Sequence, residues 1–295
     1  MKPQLIASLL LAGLACPAFA STPIDETRPL DARGTVSIGN LKGRIEVRVW
    51  DKPQVHIGGQ LGDGVERLAI EGDSRQLDIK VRYPRNGDNR SEPTTLVVQV
   101  PRLASLAVES VSSSVDVSGT AGAKLSIDNV SGEVTVSGAP GRADIQNVSG
   151  SVRAALNSPD VSAQSVSGDI ALRGRLGGTV KGEVVSGDLS VDSRGQRLRN
   201  LSVSSISGDI SIRADLAESG RINVESTSGD IDIAMPKSLS ARVTGKSFSG
   251  DVSAPGARVN RARHGPGSDF DQRYGGGGGV VELQTFSGDA SLTLY

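Results

Sequence analysis

The chain is 295 residues long, with 37 glycines, 13 prolines, 3% aromatic and 22% charged residues, a composition neither collagenous nor disordered. Its formal charge of −1, from 32 Lys and Arg against 33 Asp and Glu, lacks the basic footprint of a dedicated nucleic-acid binder. One cysteine and two histidines exclude a Cys/His zinc cluster, a haem site on conventional ligands and a disulfide framework, so neither metal nor cofactor is expected.

In chain order, residues 1–20 read as a secretory signal peptide: Lys2 is the positive start, Leu5 to Ala15 the apolar stretch, and Ala18-Phe19-Ala20 the cleavage site. Export to the periplasm or envelope surface follows, and cleavage removes the only cysteine, Cys16. No stretch approaches the roughly 20 apolar residues of a transmembrane helix. Residues 21–104 are expected to form an N-terminal β cap or subdomain. Strand-like runs appear at Gln76 to Val81 and Leu96 to Val100, with a polar loop from Arg85 to Pro93 between them.

Residues 105–295 are dominated by internal repetition. A Ser-Gly-acid signature, with one Ser-Gly-Ser variant, places glycines at 132, 150, 168, 187, 208, 229, 250 and 288, in steps of 18, 18, 19, 21, 21, 21 and 38 residues. Around each glycine the alternation of apolar positions indicates strands on either side of a bend. Five columns are expected in the interior, at seven, five and two residues before the glycine and at two and four after it. The column two before holds Val130, Val148, Val166, Val185, Ile206, Thr227, Phe248 and Phe286. Val36, Ile38, Leu41, Gly43, Ile45 and Val47 fit the same frame as a separated copy.

A two-residue hairpin at Ser-Gly would set Val130 opposite Glu133, and polar against apolar in nearly every copy. If each unit instead stacks on the next, like meets like. The expected fold is therefore all-β, a single-chain, β-helix-like β-solenoid with coils of about 18–21 residues. Its structural turn ladder would be Gly43, Gly132, Gly150, Gly168, Gly187, Gly208, Gly229, Gly250 and Gly288. The Asp column beside these glycines is read as turn-forming and solvated, because one acid per coil supplies too few oxygens for calcium.

Gly39 to Val47, Trp50-Asp51, Val100-Pro101 and the Ser-Gly-Asp ladder resemble a bacterial family of β-strand-repeat envelope proteins, functionally uncharacterised and usually labelled putative adhesins. The resemblance implies an exported or envelope-associated β-solenoid without known catalytic residues, some relatives being linked to envelope stress or antimicrobial-peptide responses. The expected function is accordingly binding or scaffolding of an unidentified envelope component or protein partner. The alternative is a β-helical carbohydrate-active enzyme, a polysaccharide lyase or hydrolase. That reading calls for a three-sheet coil with a charged cleft, yet His56 and His264 lie far apart and no acid–base cluster is apparent.

One segment breaks the even ladder. Residues 258–279 are expected to protrude as an inserted Gly/Arg-rich loop, offering Arg258, Arg261, Arg263, Phe270, Arg273 and Tyr274 to a partner.

Overall fold

A computed structural model of the chain describes residues 22–84, 91–261 and 266–295. Residues 1–21 with Cys16, residues 85–90, and residues 262–265 with Arg263 and His264 lie outside the described residues. The fold is an all-β solenoid whose strands join in one sheet system.

Each repeat contributes one strand before the Ser-Gly bend and one after it. Strands before the bend pair in parallel and in register from unit to unit, so Leu125, Ala143, Val161, Val180, Leu201 and Ile222 form one continuous column. After the bend, Val134, Val152, Ile170, Leu189, Ile210 and Ile231 do the same. These side chains are almost completely buried. The two walls of a coil meet inside it, and a Cβ added to Gly182 would stand 2.9 Å from Cδ1 of Leu189. Burying each Val, Leu or Ile contributes about 1.5–3 kcal/mol, repeated at every rung.

Ile210 lies in this core, whereas its neighbour Ser211 faces solvent. An unpaired carboxylate at the buried site costs several kcal/mol, while an exposed polar exchange stays within about 0.5 kcal/mol. Ile210→Asp is therefore expected to lower the melting temperature by ten degrees or more, and Ser211→Asn to leave it nearly unchanged, both read by circular dichroism. Equal melting temperatures would contradict the register.

At the N-terminal end, Thr35–Trp50 stacks in parallel on Ser105–Thr120 through both halves, with Val36 beside Leu106 and Ile45 beside Val115. Across its other edge the two halves take separate partners, Gln76–Arg82 and Thr94–Pro101. The antiparallel strands Arg67–Gly72, Gln54–Leu61 and Thr22–Pro29 complete this end. One apolar cluster runs through the whole stack, from Ile24 to Leu292.

The C-terminal end departs from sequential stacking. Gly279–Ser287 pairs in parallel with Ile210–Ser228 on one side and with Ala241–Ser249 on the other, so the last coil of the sequence lies between two earlier ones. The strand after its bend, Ala290–Leu294, likewise lies between Ile231–Met235 and Val252–Ser253. The 38-residue step thus records a chain that skips one rung, builds the end of the stack and returns to fill the vacancy.

Ser268–Tyr274, inside the segment expected to protrude, pairs antiparallel with Ala241–Ser249. Phe270, expected at a partner surface, is 1% exposed and belongs to the core. Its ring fills the space left by Gly245, where an added Cβ would come within 2.2 Å of Cε1. An open end of a solenoid leaves the last rung's apolar interior facing water, and this strand supplies the cover.

Candidate functional site: an outward apolar ladder

The column two residues before the glycine does not face inward. Strict alternation from the columns at seven and five before carries the inward direction to three before, and Asn129, Asn147, Ser165, Ser205, Ser226 and Ser247 there are buried. Four of these side chains, those of Asn129, Asn147, Ser205 and Ser247, serve the bend, while the hydroxyls of Ser165 and Ser226 have no hydrogen-bond partner among the described residues. Nδ2 of Asn147 donates to the carbonyl of Gly150 at 2.6 Å, Oγ of Ser205 to that of Gly208 at 3.2 Å, and Oγ of Ser247 to that of Gly288 at 2.9 Å. Asn129 also bridges rungs, accepting from Ser110 at 2.6 Å and donating to Asn147 at 3.1 Å. An unpaired buried carbonyl costs about 1–3 kcal/mol, so a polar residue is retained inside and the apolar residue beside it turns outward.

The bend itself is built from glycines with φ between +114° and +158° at 132, 150, 168, 187, 208, 229, 250 and 288. Beside them, Asp169, Asp188, Asp209, Asp230 and Asp289 each accept, through Oδ1, the backbone N–H of the Asp on the next rung at 2.8–3.0 Å. The order of these bonds, 230 to 289 to 251, follows the interleaved rungs.

The outward column runs Leu41, Val111, Val130, Val148, Val166, Val185, Ile206, Thr227, Phe286 and Phe248, each on the strand next to the last. With about 4.8 Å between strands, Leu41 lies roughly 29 Å from Ile206 and the whole ladder is about 43 Å long. Among its large hydrophobic members, exposure ranges from 42% at Val185 to 56% at Phe286. Among the described residues, every exposed large hydrophobic side chain except Leu103 and Tyr295 belongs to this column. Phe248 and Phe286 stack with centroids 4.7 Å apart and planes at 8°. Scattered exposed hydrophobics are ordinary, but a contiguous apolar row marks an interaction site.

Beside the ladder lies a groove of about 770 Å³. One side is the ladder from Leu41 to Ile206; the other is the column four before the glycine, with Glu109, Asp128, Gln146, Gln164, Glu183 and Ser204. Lys80, Val81 and Arg82, from the neighbouring Gln76–Arg82 strand, line one end. Tyr83 donates to Oδ1 of Asn40 at 2.9 Å and to the carbonyl of Lys42 at 3.2 Å, joining that strand to the first rung's bend. Burial raises its phenol above the usual range.

The other residues singled out by sequence are not gathered with this surface. Arg261 pairs with Asp251 at 2.9 Å, and Tyr274 donates to the carbonyl of Pro255 at 2.7 Å; Arg258 and Arg273 are exposed. Arg242 holds the carboxyl of Asp271 below its usual value and fastens the capping strand from outside. His56 lies 3.7 Å from Asp25 at the opposite end of the chain. Among the described residues, no group of three or more His, Cys, Asp or Glu is placed to hold a metal ion, and no helix is long and apolar enough to cross a membrane. The ladder was missed because its residues are as apolar as core residues; its signal was parity, since a position three residues from an inward column faces out.

The molecule is thus a β-solenoid with two strands per coil and one long, largely apolar row on its surface, interrupted at Thr227. It belongs to the Toastrack family, DUF4097, whose model matches residues 42–221 and again 195–293. Among curated proteins, no significant match is found. Similar solved structures include a "putative adhesin" from Bacteroides fragilis, 14% identical over 93% of this chain and 98% of that one, with a TM-score of 0.44. A "putative lipid binding protein" from Parabacteroides distasonis is 13% identical, covering 91% and 96%, with a TM-score of 0.49. A "putative adhesin" from Parabacteroides merdae is 10% identical, covering 92% and 96%, with a TM-score of 0.45.

Proposed function

We propose that this protein is an exported, non-catalytic binding protein of the bacterial cell envelope that holds its ligand against the outward ladder. The observation that carries this reading is the confinement of nearly all exposed large hydrophobics to one column. Export rests on the leader-like residues 1–20, and the two-strand coil, in place of the three-sheet coil that the carbohydrate-enzyme alternative calls for, favours binding. The adhesin label and the link to envelope stress fit such a surface, and both descend from the sequence resemblance.

The test is co-sedimentation of the mature chain with isolated envelope fractions. Val148→Lys combined with Val166→Lys is expected to weaken binding at least tenfold while leaving the melting temperature within a degree or two, because both side chains are nearly half exposed. Undiminished binding by this variant would overturn the reading. Loss of binding in an Arg258→Ala, Arg273→Ala variant instead would move the surface to the C-terminal end.

A further inference from the structure

The ladder is long but only one side chain wide. It is bounded on one side by the hydrophilic column four before the glycine and on the other by the bend, which is Ser-Gly-acid at most rungs but Lys42-Gly43-Arg44 beside Leu41, Ser112-Ser113-Ser114 beside Val111 and Ser149-Gly150-Ser151 beside Val148. A docked helix is about 10 Å across and presents an apolar stripe at least 100° wide, more than this row can cover. An extended alkyl chain needs no more than such a row.

The two ends of the aliphatic run also differ in chemistry. Thr227 ends it after Ile206. At the other end the hydrophilic wall changes sign. Gly39 occupies the wall position on the first rung, and the stem of Lys80 crosses the space above it, with Cγ 3.1 Å from where a Cβ would stand. Lys80 and Arg82 therefore line the mouth, Lys80 also lying 3.2 Å from Asp78. Farther along, Glu109 and Asp128 repel an anion. A negative head is thus favoured at the mouth and opposed along the groove, which gives the site a direction. The volume of about 770 Å³ lies within the range of small-ligand sites.

We propose that this groove binds a single-chain amphiphile with an anionic head, a long-chain fatty acid being its simplest form. The carboxylate lies beside Lys80 and Arg82, and the tail runs along Val111, Val130, Val148, Val166 and Val185 toward Ile206. The inference rests on the binding function proposed above and names the ligand class of the same surface. A bilayer of anionic lipids is a poorer fit, because the ladder lies between two acid-bearing columns.

The mature chain is titrated with a dansyl-labelled fatty acid, which is then displaced by saturated fatty acids of increasing length. Affinity is expected to rise up to about fourfold per added methylene and to level off once the tail passes Ile206. Val166→Glu, placing a charge in the tail's path, is expected to weaken binding at least tenfold without changing the melting temperature. Val148→Lys serves as an independent second variant. Replacing Lys80 and Arg82 by Gln is expected to weaken binding of the fatty acid but not of the matching fatty alcohol.

Absence of saturable binding, affinity indifferent to chain length, or full binding by both ladder variants would overturn the proposal. So would binding of a cationic amphipathic peptide in place of the fatty acid. If ladder variants lose envelope binding while the wild type binds no fatty acid, the ligand class is wrong and the binding function stands; if they lose neither, both fail.

Discussion

Cysteines placed at Asn223 and Glu282 are expected to join in a disulfide almost completely under mild oxidation, and cysteines at Asn223 and Thr244 not at all. Glu282 is the strand partner of both Asn223 and Thr244, so the three follow one another across the sheet as 223, 282, 244. Neighbouring strands are about 4.8 Å apart and alternate ones about 9.6 Å. A disulfide tolerates Cα separations of roughly 4.4–6.8 Å, which admits the first pair and excludes the second. All three residues are outward and half-buried, and a chain beginning at Ser21 has no other cysteine. Sequential stacking of the repeats would give the opposite result, with Asn223 beside Thr244. Peptide mass spectrometry of the oxidised proteins decides between the two orders, and cross-linking of the 223–244 pair would refute the interleaved one.

Gly208→Ala is expected to be strongly destabilising, although it adds only one methyl group. Its φ is +131°, a conformation that costs an L residue about 1–3 kcal/mol. The new Cβ would also lie 2.1 Å from the carbonyl oxygen of Gly187 on the adjoining rung. Relieving that collision moves a bend in which Asp188 accepts from the N–H of Asp209 at 3.0 Å. Strain and overpacking together come to about 3 kcal/mol or more, or roughly 10 °C in melting temperature for a chain of this size. Gly195→Ala separates the two causes: Gly195 also has a positive φ, +75°, but nothing lies within 4 Å of its added Cβ. It is expected to cost about 1 kcal/mol. Equal losses at both positions in thermal unfolding would show that contact between rungs contributes nothing.

Much of the fold is legible because the repeat repeats its contacts. Columns such as Leu125, Ala143 and Val161 need only recur at the same distance from a glycine for parallel stacking to set like on like. The same arithmetic brought Thr35–Trp50 into the frame as a separated copy, and it lies as a rung against Ser105–Thr120. Val130 and Phe286 face outward despite their hydrophobicity because strand parity sets the direction, and because the polar column at Asn129 and Ser205 has a buried duty at the bend that composition does not announce.

The groove's cationic mouth was beyond reach of the sequence, since it depends on Lys80 lying across Gly39 from a strand outside the repeat. So was Phe270, whose place in the core depends on the absence of a side chain at Gly245. By itself, the sequence determined the solenoid, the phase of its main core columns and the residues able to occupy each bend, because these depend on short, recurring spacings along the chain. Only the tertiary structure decided the order of the last rungs. The units around Gly250 and Gly288 carry the same pattern, and either matches the neighbour on the Gly229 rung. Which one lies there is settled by long-range fit, through the return of Gly279–Ser287 between two coils and the closure of the open end by Phe270.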